Sequence, residues 1–199
     1  DQSGYSVSFN EDTTIMAIGA NTNDGKGGDS GHVRVYQFSN DSWSQLGSDI
    51  DGEASSNYSG QSVSLSSDGK TVAIGAPYNS DNGTHSGHVR VFQFSNYSWS
   101  QLGENINGEA AGDQSGYSVS LSSDGKTVAV GAIANDGNGS NSGHVRIYNY
   151  NGTTWSQLGE DINGEAAGDY SGWSVSLSSD GNTVAIGANQ NDSNGSDSG

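Results

Sequence analysis

One stretch decides the fold, and in order it reads Tyr117-Ser118-Val119-Ser120-Leu121, Ser123-Asp124-Gly125-Lys126 and Thr127-Val128-Ala129-Val130-Gly131-Ala132. The first segment alternates large apolar residues with serine, which is the period-two pattern of a β-strand. Asp-Gly in the second segment accepts the positive φ angles of a tight turn. The third segment is rich in valine and is typical of a returning strand. We therefore predict an antiparallel β-hairpin.

The two faces of this hairpin differ in the size of their side chains. The large apolar face consists of Val119, Leu121, Val128 and Val130. The small face consists of Ser118, Ser120, Ala129 and Gly131. A sheet that packs between two neighbouring sheets needs bulky residues and also small, weakly polar ones. This explains how a chain with only 30% hydrophobic residues can form an interior.

The stretch recurs along the chain at a fixed spacing. Its opening motif, of the type Asp-Gln-Ser-Gly-Tyr-Ser-Val-Ser, starts at residues 1, 57, 113 and 169, which is a period of 56 residues. Self-similarity at such a period is typical of repeat architectures. We therefore predict one repeat domain. Its units are 1–56, 57–112 and 113–168, followed by a partial fourth unit, 169–199, which holds the first hairpin and a loop.

The remainder of each unit adds a second hairpin. In the third unit, His144-Val145-Arg146-Ile147-Tyr148 and Thr154-Trp155-Ser156-Gln157-Leu158 are strands on either side of Asn151-Gly152. Four short antiparallel strands in a tandem unit are typical of a β-propeller blade. We predict an all-β, propeller-like fold of four-stranded antiparallel blades. The alternative is an open linear array, or a solenoid, of β-hairpin repeats.

Composition and length restrict the partners. The chain has 199 residues, a formal net charge of −17, six lysines and arginines, and no cysteine. These counts argue against nucleic acid and membrane insertion, and they exclude disulfides and thiolate metal sites. Propellers close with 4–8 blades, whereas this sequence holds three and part of a fourth. We expect the sequence to be part of a longer repeat protein, or a protomer that associates with copies of itself or with neighbouring repeats.

The motifs of each unit resemble an FG-GAP repeat. In the second unit the matching segments are Gly60-Gln61-Ser62-Val63-Ser64-Leu65, Asp68-Gly69, Val72-Ala73-Ile74-Gly75-Ala76-Pro77 and Gly87-His88-Val89-Arg90-Val91-Phe92. The resemblance covers about 35 residues of each unit. FG-GAP repeats build the seven-bladed propeller of integrin α subunits and related secreted proteins. The resemblance implies an extracellular or cell-surface location and a role in adhesion or scaffolding.

The sequence departs from that family pattern in two places. Serine stands where an aromatic residue usually precedes the first glycine, at Ser3, Ser59, Ser115 and Ser171. Many FG-GAP blades carry a Ca²⁺ loop between their first two strands. Here that loop is reduced to Ser-Asp-Gly-Lys and its variants, which is too short to surround an ion. The resemblance therefore does not predict the calcium site of the family in this chain.

A different acidic segment follows the fourth strand and is a candidate for Ca²⁺. Oxygen ligands at alternate positions, with a glycine nearby, resemble the opening of a calcium loop. The candidates are Asp49, Asp51 and Glu53 in the first unit, and Asp161, Asn163 and Glu165 in the third. The alternative is a tight inter-blade turn whose isoleucine fills the core. The cofactor is then either Ca²⁺ or none.

Asn-x-Ser/Thr sequons are abundant, and three occur in the same turn of successive units, at Asn40, Asn96 and Asn151. In a secreted eukaryotic protein we expect some of these to carry sugar. The alternative is that a chain rich in Asn and Ser forms sequons by chance. Asn194 heads a further sequon in the partial unit.

Two further motifs recur once per unit. The His-Val-Arg triplet begins at His32, His88 and His144, and its arginine either lines an anionic ligand groove or pairs with acidic loops. The tryptophan of Trp-Ser-Gln-Leu-Gly either packs between blades or stacks on sugars. We favour pairing for the arginines and packing for the tryptophans.

Catalysis has little support in the sequence. No Gly-x-Ser-x-Gly elbow is present, and the histidines repeat with the scaffold. We expect no enzymatic activity. The predicted function is an extracellular structural and adhesion module that presents acidic loops and glycosylation sequons, and that self-associates or scaffolds. The alternatives are a lectin-like propeller, with or without Ca²⁺, and a non-catalytic part of a larger secreted enzyme. The ligand is unknown.

Overall fold

The computed structural model describes residues 1–193, 195 and 198–199. These residues form seventeen β-strands and no helix. Accordingly, nothing in the described part of the chain has both the helical length and the apolarity needed to cross a bilayer.

The first blade is an antiparallel sheet of five strands. They are β1 (Ser6–Phe9), β2 (Ile15–Ala20), β3 (His32–Ser39), β4 (Ser42–Gln45) and β5 (Ile50–Asp51). Strands β1 to β4 follow one another across the sheet. The long strand β3 carries two partners on the same edge. Strand β4 pairs with its second half, whereas β5 pairs with His32 and Val33 at its start.

The next two blades repeat this topology. The second consists of β6 (Ser62–Leu65), β7 (Thr71–Ala76), β8 (His88–Ser95), β9 (Ser98–Gln101) and β10 (Ile106–Asn107). The third consists of β11 (Ser115–Leu121), β12 (Thr127–Ala132), β13 (His144–Tyr150), β14 (Trp155–Gln157) and β15 (Ile162–Asn163). A final hairpin is formed by β16 (Ser174–Leu177) and β17 (Val184–Gly187).

The predicted all-β fold of tandem antiparallel blades is confirmed, with one addition. Each complete blade has a fifth strand, two residues long, in the segment that we interpreted as a turn or a calcium loop. A strand of two residues is too short to show an alternating pattern, so the sequence gives no signal for it. Its isoleucine is buried in the first two blades, at Ile50 and Ile106. The positions of the unit boundaries stay a prediction.

The hydrophobic core lies between blades and not within them. The first cluster joins Ile15, Ala17, Val33, Val35 and Ile50 of the first blade to Leu65, Val72, Ile74 and Phe92 of the second. The second cluster joins Ala73, Val89, Val91 and Ile106 of the second blade to Val119, Leu121, Val128 and Val130 of the third. The second blade therefore contributes one face to each of the two cores, as the two-faced hairpin predicts.

The small face of each blade makes a repeated polar contact with the next blade, which we call the serine clasp. The hydroxyls of Ser6, Ser62 and Ser118 donate to the carbonyls of Gly60, Gly116 and Gly172, at 2.8, 2.9 and 2.7 Å. A second serine of each blade, Ser8, Ser64 or Ser120, accepts the backbone N–H of Leu65, Leu121 or Leu177 at 2.9–3.0 Å. Successive sheets are thus joined by hydrogen bonds as well as by apolar packing.

The glycine of the recurring Gly-Ala pair is what permits this close approach. At Gly75 an added Cβ would overlap the carbonyl oxygen of Gly116 in the next blade, and Gly19 and Gly131 have the same relation to Gly60 and Gly172. The contact is with backbone, which cannot move aside as the end of a flexible side chain can. Glycine is therefore required at this position by the neighbouring blade.

We expect Gly75→Ala to destabilise the protein by about 1–3 kcal/mol, because the methyl group forces the second and third blades apart. The matched control is Gly28→Ala, where an added Cβ meets nothing within 4 Å. Urea unfolding of the two variants and the wild type measures the difference. Equal stability of the two variants would contradict close inter-blade approach.

Candidate functional site

The His-Val-Arg triplets open the third strand of every complete blade. There β3, β8 and β13 pair with the short strands β5, β10 and β15. These short strands lie in the acidic segment that follows the fourth strand of each blade, which we call the acidic linker. His32 thus lies opposite Asp51, and His144 lies opposite Asn163. Alternation along the strand sets the histidine and the arginine on the same face. Basic side chains and linker carboxylates are therefore brought together once per blade.

The arginines of the first and third blades bind the linker aspartate. Arg34 makes a bidentate contact with Asp49, with Nε and Nη2 at 2.8–3.0 Å from the carboxylate oxygens. Arg146 contacts Asp161 in the same way, at 2.8 and 2.9 Å. These hydrogen bonds lower the pKa of both aspartates. The prediction that the arginines pair with acidic loops is confirmed for these two blades.

The arginine of the second blade behaves differently, because Asn105 replaces the aspartate. Arg90 is buried and turns toward the first blade, where its Nη2 donates to the carbonyl of Asp51 at 2.7 Å. Its guanidinium also lies 5.2 Å from the centre of the Phe92 ring. With an asparagine in place of the aspartate, Arg90 lacks the bidentate contact within its own blade and binds the linker of the preceding blade.

The three histidines are buried beside the carboxylates. In each blade Nδ1 lies 3.7 Å from a carboxylate oxygen, of Asp49 for His32, Glu53 for His88 and Asp161 for His144. That distance is too long for a good hydrogen bond. Burial is the largest effect on each histidine, and it lowers the pKa of His88 to about 4. The imidazoles are therefore neutral at neutral pH, and these contacts are not ion pairs there.

The structure distributes the Ca²⁺ candidates of the first unit over two blades. Asp49 is held by Arg34, and Asp51 lies 3.8 Å from the Lys26 amine. Glu53 instead reaches the second blade, near His88 and the amide of Asn105. The three residues do not converge on one point.

The candidates of the third unit are separated in the same manner. Asp161 binds Arg146 and the Gln157 amide, whereas Asn163 lies in the short strand β15 opposite His144. The Glu165 carboxylate accepts from the Asn191 amide at 3.3 Å and the Ser193 hydroxyl at 3.4 Å, in the last described loop. Binding of Ca²⁺ by either segment stays a prediction.

Two features of this site were missed from the sequence. A glutamine four residues before the linker acid or amide binds it in every blade, as Gln45 does to Asp49 at 2.6 Å. The fixed four-residue spacing was the available signal. The second feature is the crossing of Glu109 from the preceding linker to Arg146 of the third blade. Their separation of 37 positions in the chain gives no local pattern to recognise.

The three sequon asparagines are exposed at the outer tips of the hairpins. Asn40 and Asn96 occupy two-residue turns with positive φ, of 51° and 50°, which asparagine tolerates well. Asn151 instead accepts the backbone N–H groups of Thr153 and Thr154. Glycosylation stays a prediction, and Asn194 lies outside the described residues.

The tryptophans join neighbouring blades, as predicted. The indole N–H of Trp99 donates to the carbonyl of Leu46 in the preceding blade at 2.7 Å, and Trp155 makes the same bond to Leu102. No blade precedes that of Trp43 within the described part of the chain. Trp43 packs on Phe38 and Phe9, is 43% exposed, and its indole has no hydrogen-bond partner in the described part of the chain.

Comparison with known proteins supports the repeat and the fold. A family model described as FG-GAP repeat matches residues 49–92, 107–148 and 163–199. No curated protein matches the chain. Among solved structures, Pseudomonas aeruginosa periplasmic gluconolactonase aligns with a TM-score of 0.60 and 16% identity, over 93% of this chain and 50% of that one.

Two further structural neighbours are equally distant. Kuenenia stuttgartiensis hydrazine synthase aligns with a TM-score of 0.58 and 13% identity, over 92% of this chain and 41% of that one. A 6-phosphogluconolactonase-like protein from Bacteroides fragilis aligns with 0.57 and 11%, over 90% and 40%. The chain therefore spans half or less of each neighbour. These likenesses show the β-propeller fold alone.

One expectation from the sequence is corrected by these neighbours. We expected no enzymatic activity because histidines and serines recur with the scaffold. That expectation is wrong, because it took the regularity of the repeat as evidence against catalysis. Proteins named as lactonases contain the same kind of blades. A propeller keeps its strands regular while catalytic groups can reside in its loops. Repeat symmetry is thus no ground for excluding catalysis, and the neighbours assign no activity to this chain.

The buried His88 predicts a dependence of stability on pH. Its pKa in the folded state, about 4, lies below the ordinary value of 6.5. Between these two pH values the unfolded chain therefore binds a proton on this imidazole that the folded chain does not bind. The unfolding free energy should therefore fall as the pH decreases from 6.5 toward 4, with a contribution approaching about 1.4 kcal/mol per pH unit. Urea unfolding at several pH values should show a shallower dependence for His88→Gln.

The matched control is His85→Gln, since His85 lies exposed in the preceding loop. It should keep the pH dependence of the wild type. An unchanged pH dependence in His88→Gln would refute the assignment of a buried, neutral imidazole.

Proposed function

Because the chain belongs to the FG-GAP repeat family, we propose that it is an extracellular structural module that associates with further blades of its own kind. The observation that carries this proposal is the pair of unmatched end faces. The two faces of a blade play different roles in the inter-blade contacts described above. One face carries the serine hydroxyls and the glycine of the Gly-Ala pair, and the opposite face carries the groups that they contact in the neighbouring blade. Among the described residues, the first blade and the last hairpin each present one half of these contacts without its counterpart.

The first end face belongs to β1 and β4. Val7 and Phe9 are each 47% exposed, whereas Leu65 and Leu121, at the position of Phe9 in later blades, are buried against a preceding sheet. With Trp43 beside them, they form an apolar surface of the kind that marks an interaction site.

The second end face belongs to the hairpin of β16 and β17. The hydroxyls of Ser174 and Ser176 have no partner in the described part of the chain, although their counterparts in earlier blades reach the next sheet. An added Cβ at Gly187 meets only Ser174 of its own hairpin. This surface has the features that receive a next blade, and Ala185 lies exposed at its centre.

The extracellular part of the proposal rests on membership of the family, and adhesion would act through the exposed loops. The sequons at Asn40, Asn96 and Asn151 are accessible to glycosylation in such an environment. The alternative of a lectin that reads sugars with one tryptophan per blade has less support. The indoles of Trp99 and Trp155 are already engaged between blades.

The test is self-association by sedimentation equilibrium at about 0.15 M salt, which screens the charge of −17. Phe9→Glu blocks the first end face and Ala185→Glu the second. Each variant alone should associate at least about tenfold more weakly than the wild type. An equimolar mixture should regain a dimer, because each variant keeps one intact face.

Tyr97→Glu is the matched control, since Tyr97 is 94% exposed at a hairpin tip and should not change association. A wild type that is monomeric at all concentrations would contradict the proposal. If only Phe9→Glu loses association and mixing does not restore it, the dimer forms through two copies of the first end face. That result would contradict the proposed contact between the first and second end faces.

A further inference from the structure

The third blade contains a buried imidazole nitrogen without a hydrogen-bond partner. His144 is 2% exposed, and its Nδ1 has no hydrogen-bond partner among the described residues. It points at two carboxylates. Asp161 lies 3.7 Å away, and Glu109 arrives from the linker before the blade. The ligand atoms of these three residues all lie within 4.8 Å of one another.

The second blade shows why His144 is left unpaired. There the counterpart of Asp161 is Asn105, whose amide nitrogen lies 3.4 Å from Nδ1 of His88. An amide can donate a proton to an imidazole lone pair, whereas an ionised carboxylate can only accept one. In the third blade, by contrast, the buried Nδ1 of His144 has no hydrogen-bond partner and lies 3.7 Å from the Asp161 carboxylate, an arrangement that a cation between the two atoms would satisfy.

We propose that Glu109, His144 and Asp161 form a binding site for a divalent transition metal of the Zn²⁺ class. Zinc binds imidazole nitrogen at about 2.0–2.1 Å and carboxylate oxygen at about 2.0–2.2 Å, so that two tetrahedral ligands lie about 3.4 Å apart. The separation of His144 and Asp161 is close to that value already. The Glu109 side chain is 45% exposed and is held beside the cluster by its ion pair with Arg146.

Mixed nitrogen and oxygen ligands favour zinc over calcium. Ca²⁺ takes six to eight oxygen ligands and gains little from an imidazole. Imidazole suits Zn²⁺, Cu²⁺ and Ni²⁺, and three protein ligands leave a fourth position for water. This site is therefore distinct from the calcium segment predicted from the sequence, although both include Asp161.

Arg146 is compatible with a metal at this place. It contacts both carboxylates, but each oxygen has a second lone pair, so the guanidinium can remain as an outer partner that orients the ligands. Two carboxylates, one guanidinium and a neutral imidazole leave the cluster with one negative charge. A divalent ion is attracted to that charge and to the acidic surface around it.

The other two blades lack this combination. In the first blade the cluster is His32, Asp49 and Asp51, and the Lys26 amine adds a further positive charge 3.8 Å from Asp51. In the second blade Glu53, Asp81 and His88 come together, but Asn105 already contacts Nδ1. We therefore assign one site per chain, in the third blade.

The experiment is calorimetric titration of the metal-free, tag-free chain with ZnCl₂ at about 0.15 M salt. The wild type should bind one Zn²⁺ per chain, and Zn²⁺ should raise its thermal midpoint. Asp161→Asn copies the arrangement of the second blade and so preserves the fold. It should weaken Zn²⁺ binding more than tenfold and abolish the thermal shift. His144→Gln should do the same if it folds.

Glu160→Gln is the matched control, because it removes the same charge from the neighbouring, exposed residue. It should bind Zn²⁺ as the wild type does, and a tenfold excess of CaCl₂ should not displace the ion. The proposal is overturned if the wild type shows no one-to-one binding. It is equally overturned if Asp161→Asn binds like Glu160→Gln, which would indicate diffuse attraction to the acidic surface.

Discussion

The structure depends on how closely one sheet approaches the next. A serine hydroxyl of each blade reaches a glycine carbonyl of the following one at 2.7–2.9 Å, three times along the chain. This is possible only because the opposing residue, such as Gly75 against Gly116, has no side chain. Valine and isoleucine fill the space on the other face. A blade without neighbours would bury neither face, so the stability of each unit is linked to the next.

Several properties of the molecule follow from this close approach. The interior can be built with 30% hydrophobic residues, because buried serines are satisfied across the interface. The first blade and the last hairpin each present a face without a partner among the described residues, and the proposed association with further blades rests on these two faces. The same approach brings the linker of one blade beside the third strand of the next. Glu109 can therefore reach Arg146 and face His144, and the proposed metal site is a consequence of blade packing.

Much of the fold could be predicted from the sequence, because its signals are local and repeated. The alternation in residues 117–121 and the Asp-Gly turn defined the hairpin, and the small face defined the contact with a neighbour. The two-residue strand β15 was missed, since alternation needs a longer segment. The site was predicted only in part. Pairing of arginine with linker acids was expected, but contacts such as that of Glu109 with the next blade depend on the distance between sheets. No pattern within one unit records that distance.

The most direct test compares two chemically identical changes, Trp99→Phe and Trp43→Phe. Trp99 donates its indole N–H across a blade interface, whereas Trp43 lies on the open end face. If inter-blade contacts hold the structure together, Trp99→Phe should lower the unfolding free energy by about 1–3 kcal/mol. Trp43→Phe should change it by less than about 0.5 kcal/mol in the monomer. Equal losses in the two variants would contradict the account.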